Sequence, residues 1–249
     1  MHAGSWSIAA EAVIGIPIIV GAYTAAQRRC PSSPPRRLAF AFAVLLLLAA
    51  FATPVQTIAL HYLLSAHLLQ NVVTAEWASG LTVLAIAPSL AERLEPVTAV
   101  RMPTHPLVAL PVWLATYYTW HVPPIYDAAL RHPHSLLHVE HATYFLAGVL
   151  MWWPVVHGRW SDGVKALYLF GAFVLASPLG LLLALLPRPV YSFYEHAPHL
   201  WIGHLTDQQV AGTTMAVEEA IVFFGAFAFY LTRFLRQEAV VGAFTESRR

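Results

Sequence analysis

Charge is what this sequence has least of. Of its 249 residues only 11% are Asp, Glu, Lys or Arg, against roughly 25% in soluble domains. With 58% of residues apolar, too few polar groups remain to cover a water-facing surface, and a soluble globular protein is excluded. Cysteine is nearly absent. Cys30 stands alone, so the chain can form no internal disulfide and contains no CxxC metal motif. Any metal chemistry has to use His, Met or carboxylate. The formal net charge is +1 and no basic run is interleaved with aromatics, which excludes nucleic acid as a partner. Internal repeats and long polar linkers are missing as well, so residues 1–249 read as a single integral-membrane domain. The first apolar run has no basic flank before it and no small-residue cleavage site after it, which predicts a retained helix rather than a signal peptide.

What is plentiful is apolar sequence in lengths suited to a bilayer. A hydrocarbon core about 30 Å thick takes roughly 20 helical residues. Seven such runs are bounded by polar or Pro-rich punctuation, at 6–26, 38–60, 62–88, 106–121, 135–156, 165–186 and 208–235. Pro54 interrupts the second. The alternating pattern of barrel strands is absent, and backbone groups cannot stay unpaired in lipid. The predicted fold class is therefore all-α, a polytopic transmembrane bundle of about seven helices. Basic residues at helix ends are retained on the cytoplasmic side. With seven crossings, twelve of the 14 Lys and Arg, from Arg28 through Arg36, Arg101, Arg159 and Arg233 to Arg248 and Arg249, share one side, and only Arg131 and Arg188 lie on the other. That asymmetry predicts an outward N-terminus and a cytoplasmic C-terminus.

Thirteen histidines nearly equal the 14 basic residues, and the same topology sorts them. His105 and His157 fall on the basic side, while the other eleven, His2, His61, His67, His121, His132, His134, His138, His141, His196, His199 and His204, lie outside or in the outer half. Imidazole is the commonest biological ligand for zinc, copper and haem iron, so the outer half is the candidate functional face. The run 135–156 carries the clearest pattern, with His134, His138 and His141 at i, i+4 and i+7 on one helical stripe and Glu140 beside the last. Its H-x-E-H order is neither of the zinc-protease motifs. His67 is an intramembrane ionisable group, with Asn71 four residues on and on nearly the same face. His121 ends the fourth run before Pro123-Pro124, where a plain electrostatic cap on the helix C-terminus is the alternative.

The last run opens with Asp207-Gln208-Gln209, and Gly212, Met215 and Glu219 follow on one stripe. Asp207 is either a ligand or a helix N-cap. Met215 is soft enough for Cu(I), although a lone Met in a helix usually packs. Glu11, Glu76, Glu218 and Glu219 sit at membrane depth, where each has to be protonated, paired or turned to a polar cavity. The loop 187–206 holds His196, His199 and His204 among Tyr191, Phe193, Tyr194 and Trp201, and reads equally as an ion-capturing loop or a flap on the membrane interface.

Taken in order, the His67 segment, His105-Pro106 through Trp120-His121-Val122-Pro123, Tyr126 to Leu130, Leu137-His138-Val139-Glu140-His141, Trp152-Trp153-Pro154, and Asp207-Gln208-Gln209 with Gly212 and Met215 resemble the CtaG-type integral-membrane cytochrome c oxidase assembly factors. The resemblance runs from about residue 38 to 235. It implies a non-enzymatic, multi-pass protein of the bacterial inner membrane that helps to mature the copper centre of a haem-copper oxidase, with oxidase subunits or a copper donor protein as partners and membrane lipid around it. On this reading the metal-site residues are His67, His121, His138, Glu140, His141, Asp207 and Met215, and the bound ion is copper. The chain departs from the family pattern at Asn71, where a second histidine is usual, and at Ala216, where tryptophan is. Two alternatives stay open: a membrane-embedded zinc-dependent hydrolase using His67, His138 and His141 with Glu140 or Asp207 as base, and a haem-binding protein with His67 and His121 as axial ligands.

Overall fold

A computed structural model describes the backbone of residues 2–246 and the side chains of residues 2–240. Arg248 and Arg249, counted above with the basic side, lie outside the described residues. Among the described residues there are twelve continuous helices and no strand. In chain order they are α1 (11–29), α2 (Pro34–Phe51), α3 (Pro54–His61), α4 (Leu64–Ala85), α5 (Pro88–Leu94), α6 (Thr98–Arg101), α7 (Pro106–Trp120), α8 (Pro123–Arg131), α9 (Leu136–Val156), α10 (Asp162–Leu185), α11 (Ser192–Glu195) and α12 (204–246). By length and composition α2, α10 and the segment His204–Val240 can each cross a membrane, and α4 with α5 makes a fourth if that pair, bent by 95°, is one span. The other predicted runs are also helical over most of their length, as α1, α7 and α9. But α7 has only 15 residues, short for a hydrocarbon core, and α9 begins among His138, Glu140 and His141.

Proline sets the main departures from the predicted boundaries. The run 38–60 is two helices: Pro34 starts the first at its N-terminal edge, and Ala52 leaves the helical conformation just before Thr53, whose hydroxyl accepts from Val55 N at 3.2 Å and caps α3 with Pro54 in its first turn. Because Pro54 has no N–H, the carbonyl of Ala50 loses its helical partner. Gln70 on α4 supplies one, its Nε2 donating to Ala50 O at 2.6 Å. The same logic repeats at Pro88. The run 62–88 stops at Ala85, Ile86 and Ala87 are extended, and the carbonyls of Leu84 and Ile86 accept from the guanidinium of Arg36. Pro123 and Pro124 likewise open α8, a helix the hydropathy pattern does not announce. The helix 204–246 starts before the predicted residue 208 and continues past 235, and His134 stays in a turn ahead of α9.

Two glycine contacts bring helices close enough to set the interior. Where α9 passes α4, a Cβ on Gly148 would stand 2.0 Å from the Ala75 carbonyl oxygen. Where α10 crosses α12, a Cβ on Gly212 would lie 2.5 Å from Gly180 O and from Ala184 N. Such close backbone approach is how helices associate where lipid offers no hydrophobic driving force between them. Around these crossings pack Trp113, Tyr144, Met151, Leu169 and Met215, all nearly inaccessible.

Two aspartates then tie helix starts across the bundle. Asp207 on α12 accepts from Leu64 N at 2.6 Å, Ser65 N at 3.1 Å and Ser65 Oγ at 2.5 Å. The N-cap predicted for its own helix is thus a cap on α4. Asp127 on α8 accepts from Ser192 N, Ser192 Oγ and Phe193 N, at 3.1, 2.5 and 3.1 Å, and so caps α11.

The connections sort into two ends. At one, Arg36 reaches the end of α4, His157 Nε2 lies 2.9 Å from Val83 O, Arg159 pairs with Glu95 at 2.9 Å, and Arg233 pairs with Asp162 at 3.1 Å. At the other, Thr57 donates to Ser5 O at 2.8 Å, Arg131 to Ser192 Oγ at 2.7 Å, and Tyr194 to Ala59 O at 2.5 Å. Arg36, Arg159 and Arg233 thus meet at the first end, with His157, and Arg131 at the second.

Substitutions at Gly212 and Asp207 test this frame, with Gly21 as the control. Gly212→Val should cost about 1–3 kcal/mol through overpacking at the α10–α12 crossing, read as a lower unfolding temperature in detergent. Gly21→Ala, with nothing within 4 Å of its Cβ position, should not lower it. Asp207→Ala should cost about 1–2 kcal/mol by uncapping α4, and Asp207→Asn should recover part of the loss because its amide oxygen still accepts.

Candidate functional site

Helix α9 turns His138 and His141 toward α1, where Glu11 lies in a π-helical turn. The Nδ1 atoms of His138 and His141 are 2.8 and 2.7 Å from the same oxygen, Glu11 Oε1. A carboxylate oxygen can only accept, so each Nδ1 carries the N–H, and in the neutral form of each ring Nε2 is then the nitrogen without a proton. In His141 that Nε2 is buried and has no hydrogen-bond partner. His121 is set the same way by a different acceptor. Its Nδ1 lies 2.8 Å from the Tyr117 carbonyl oxygen and 3.2 Å from the Tyr144 hydroxyl, and its Nε2 is also buried without a partner.

Glu140, fully buried on α9, joins these groups to α4. Its Oε1 accepts from Asn71 Nδ2 at 2.8 Å and stands 3.4 Å from His67 Nε2, while Oε2 has no partner. The His67 and His141 rings are 5.8 Å apart by centroid. Tyr126 lies between His67 and His121, with centroids 5.4 and 6.1 Å away. Met215 comes from α12 and lines, with Asn71, Glu76, Tyr117, His121 and Tyr144, a cavity of ≈10 Å³, room for about one water-sized particle.

The structure therefore sets His67, His121, His138, Glu140, His141 and Met215 along one connected path. Asp207 stands apart, at the first turn of α4, with both oxygens engaged there. Among the described residues no three His, Cys, Asp or Glu side chains converge as a metal ion would require, so the path is a row of donors rather than a closed cage. His196 and the facing pair His199 and His204, with ring centroids 4.2 Å apart, belong to the loop region and do not join it. That loop is less a flap than a roof: Tyr191 and Tyr194 are buried, Tyr191 stacks on Tyr126 at 4.0 Å, and its hydroxyl donates to His121 O at 3.2 Å.

Below the cavity lie the other membrane-depth carboxyl groups. Tyr117 donates to Glu219 Oε1 at 2.7 Å and Trp77 donates to Glu218, while Glu76 lines the cavity itself. Glu76 lies in a π-helical turn of α4, and Glu218 and Glu219 directly precede one in α12. Such turns often occur at functional sites. Sequence reasoning singled out Glu11 as a buried charge but not as the partner of two histidines; it named Tyr126 and Tyr191 only as parts of a motif and of the loop, and it passed over Tyr144. The signal for Glu11 was its depth, since an ionisable group in lipid needs a named partner.

No curated protein and no solved structure matches the chain. A family model does: that of the cytochrome c oxidase caa3 assembly factors, Caa3_CtaG, matches residues 19–237, a stretch running from α1 through α12 that includes every residue of the path except Glu11. The chain, a helical membrane protein, belongs to the Caa3_CtaG family of cytochrome c oxidase assembly factors.

Proposed function

We propose that this assembly factor works in a bacterial plasma membrane, crosses it seven times with the N-terminus outside and the C-terminus cytoplasmic, and takes up copper transiently in its outer half for a haem-copper oxidase. Copper here is cargo, received from a donor protein and passed to an oxidase subunit. The carrying observation is the pair of buried imidazoles, His121 and His141, each with Nδ1 tied to a fixed acceptor and Nε2 bare. Ligating histidines are normally oriented in this way, by a carbonyl or carboxylate on the other ring nitrogen. His138 shares the Glu11 anchor, and His67, Glu140 and Met215 are the further donors within the same path. The row suits a cargo that is held and released more than an ion that stays.

Support for the topology comes from the helix ends. Connections that seven crossings assign to one side hydrogen-bond and ion-pair with one another, and Arg36, Arg159 and Arg233 meet there, as the cytoplasmic side requires.

The two other readings are not favoured. A hydrolase needs three convergent ligands and a free base, whereas Glu140 is held by Asn71 and Asp207 is committed to a helix start. A haem on His67 and His121 would have to displace the Tyr126 ring, which packs against both imidazoles.

Elemental analysis of detergent-purified protein after anaerobic Cu(I) loading tests the proposal. Copper should be retained and should fall sharply in the double variant His138→Ala/His141→Ala. Glu11→Ala, which only frees the two rings, should weaken copper binding by roughly 10- to 100-fold. In cells, loss of the gene should lower oxidase activity, and His121→Ala should do the same without lowering the amount of this protein. Unchanged oxidase activity without the gene would sink the assembly role, and wild-type protein that keeps no copper would sink the cargo.

A further inference from the structure

At the end of the molecule away from Glu11 and its two histidines, the chain builds a second site. Pro88 stops α4 and turns α5 aside by 95°. After Pro96 the short α6 follows, and together they form a shelf across the end of α9 and the connection 157–161. Between shelf and bundle lies a pocket of ≈510 Å³, within the range of small-ligand sites.

Its polar lining is unequal in sign. Arg36, Arg101 and Arg159 face it against Glu92 and Glu95. Arg36 is pinned by the carbonyls of Leu84 and Ile86, and Arg159 by Glu95 at 2.9 Å. The Arg101 guanidinium has no hydrogen-bond or ion-pair partner among the described residues. The two histidines of the lining are also fixed, His157 against Val83 O at 2.9 Å and His105 with its ring edge-on to Trp160 at 5.3 Å. Among the described residues, Arg101 and Glu92 are the lining charges left without a partner, and three arginines against two glutamates leave an excess of one positive charge, which points to a ligand with one negative charge.

The rim says where that ligand comes from. Trp153 and Trp160 line the pocket, Trp160 40% exposed, and the exposed Met102 (63%) and Leu107 (80%) follow its lining residues Arg101 and His105 closely in the chain. Apolar and tryptophan side chains at a basic membrane-protein end mark the headgroup level, and basic pockets there bind anionic lipid headgroups. From this we infer that the pocket holds the phosphodiester of an anionic phospholipid, with Arg101 as its principal contact, Arg36 behind it, and Glu92 accepting from headgroup hydroxyls. The acyl chains then run along the exposed face at Met102 and Leu107. The inference is independent of the copper reading, which concerns the opposite end.

Native mass spectrometry of the full chain, delipidated in detergent and offered phosphatidylglycerol or phosphatidylethanolamine, tests it. The wild type should retain phosphatidylglycerol in preference to phosphatidylethanolamine. Arg101→Gln should lower that retention about fivefold, the effect of roughly 1 kcal/mol for one arginine at the surface, and Arg101→Glu should abolish it. Arg188→Gln, at the opposite end, should change nothing. Because Arg101 has no partner to lose, its variants should keep the wild-type unfolding temperature in the absence of lipid. Equal retention of both lipids, or full retention by Arg101→Glu, would overturn the assignment. So would displacement of phosphatidylglycerol by millimolar inorganic phosphate, which would mark a free-anion site instead.

Discussion

A carboxylate buried in an apolar bundle has to be surrounded by donors, and in this protein the donors come from other helices. Glu11 of α1 holds two imidazoles of α9. Glu140 of α9 holds Asn71 of α4, Asp207 of α12 holds the start of α4, and Asp127 of α8 holds the start of α11. Removing water leaves no other way to satisfy such groups. Each pairing fixes one helix against another at a definite height. The histidine path inherits its geometry from these ties, since the rings of His138 and His141 can point only where Glu11 accepts them.

Proline works with the same constraint from the backbone side. Pro54 and Pro88 each remove an N–H, and each leaves a carbonyl one turn earlier that must find a donor. Gln70 answers the first and Arg36 the second. Arg36 therefore does two things at once: it closes the end of α4 and puts a fixed cation at the wall of the basic pocket. The bend that creates the shelf and the charge that lines it have one cause in sequence, a proline placed after a long apolar helix.

Much of the fold was legible because lipid permits few answers. Long apolar runs had to be helices, and they are helical over most of their length. Exact breaks were harder: hydropathy across 38–60 is continuous, and only the chemistry of Pro54 divides it. The short α8 and α11 escaped because amphipathic helices at a membrane end have neither the length nor the apolarity of a span. For the site, the H-x-E-H element and His67 were readable from residue type and depth. What could not be read was pairing. That Glu11 reaches residues 127 and 130 positions away, or that Asp207 caps a helix 142 positions earlier, depends on which helices are neighbours, and one sequence carries no record of that.

Asn71 shows how the site tolerates its departure from the family pattern. A histidine there could offer Glu140 an N–H only in one tautomer, and its other nitrogen would then be one more donor for an ion. The amide of Asn71 offers N–H in every state, at 2.8 Å from Glu140, and its oxygen is a poor ligand for a soft metal. On the copper proposal the exchange costs one ligand while it gives Glu140 a permanent donor. The nitrogen atoms of His141 and His121 and the sulfur of Met215 would then be the donors left to copper, with Glu11 and Glu140 supplying compensating charge, so that binding would be weaker at one position without the path being broken.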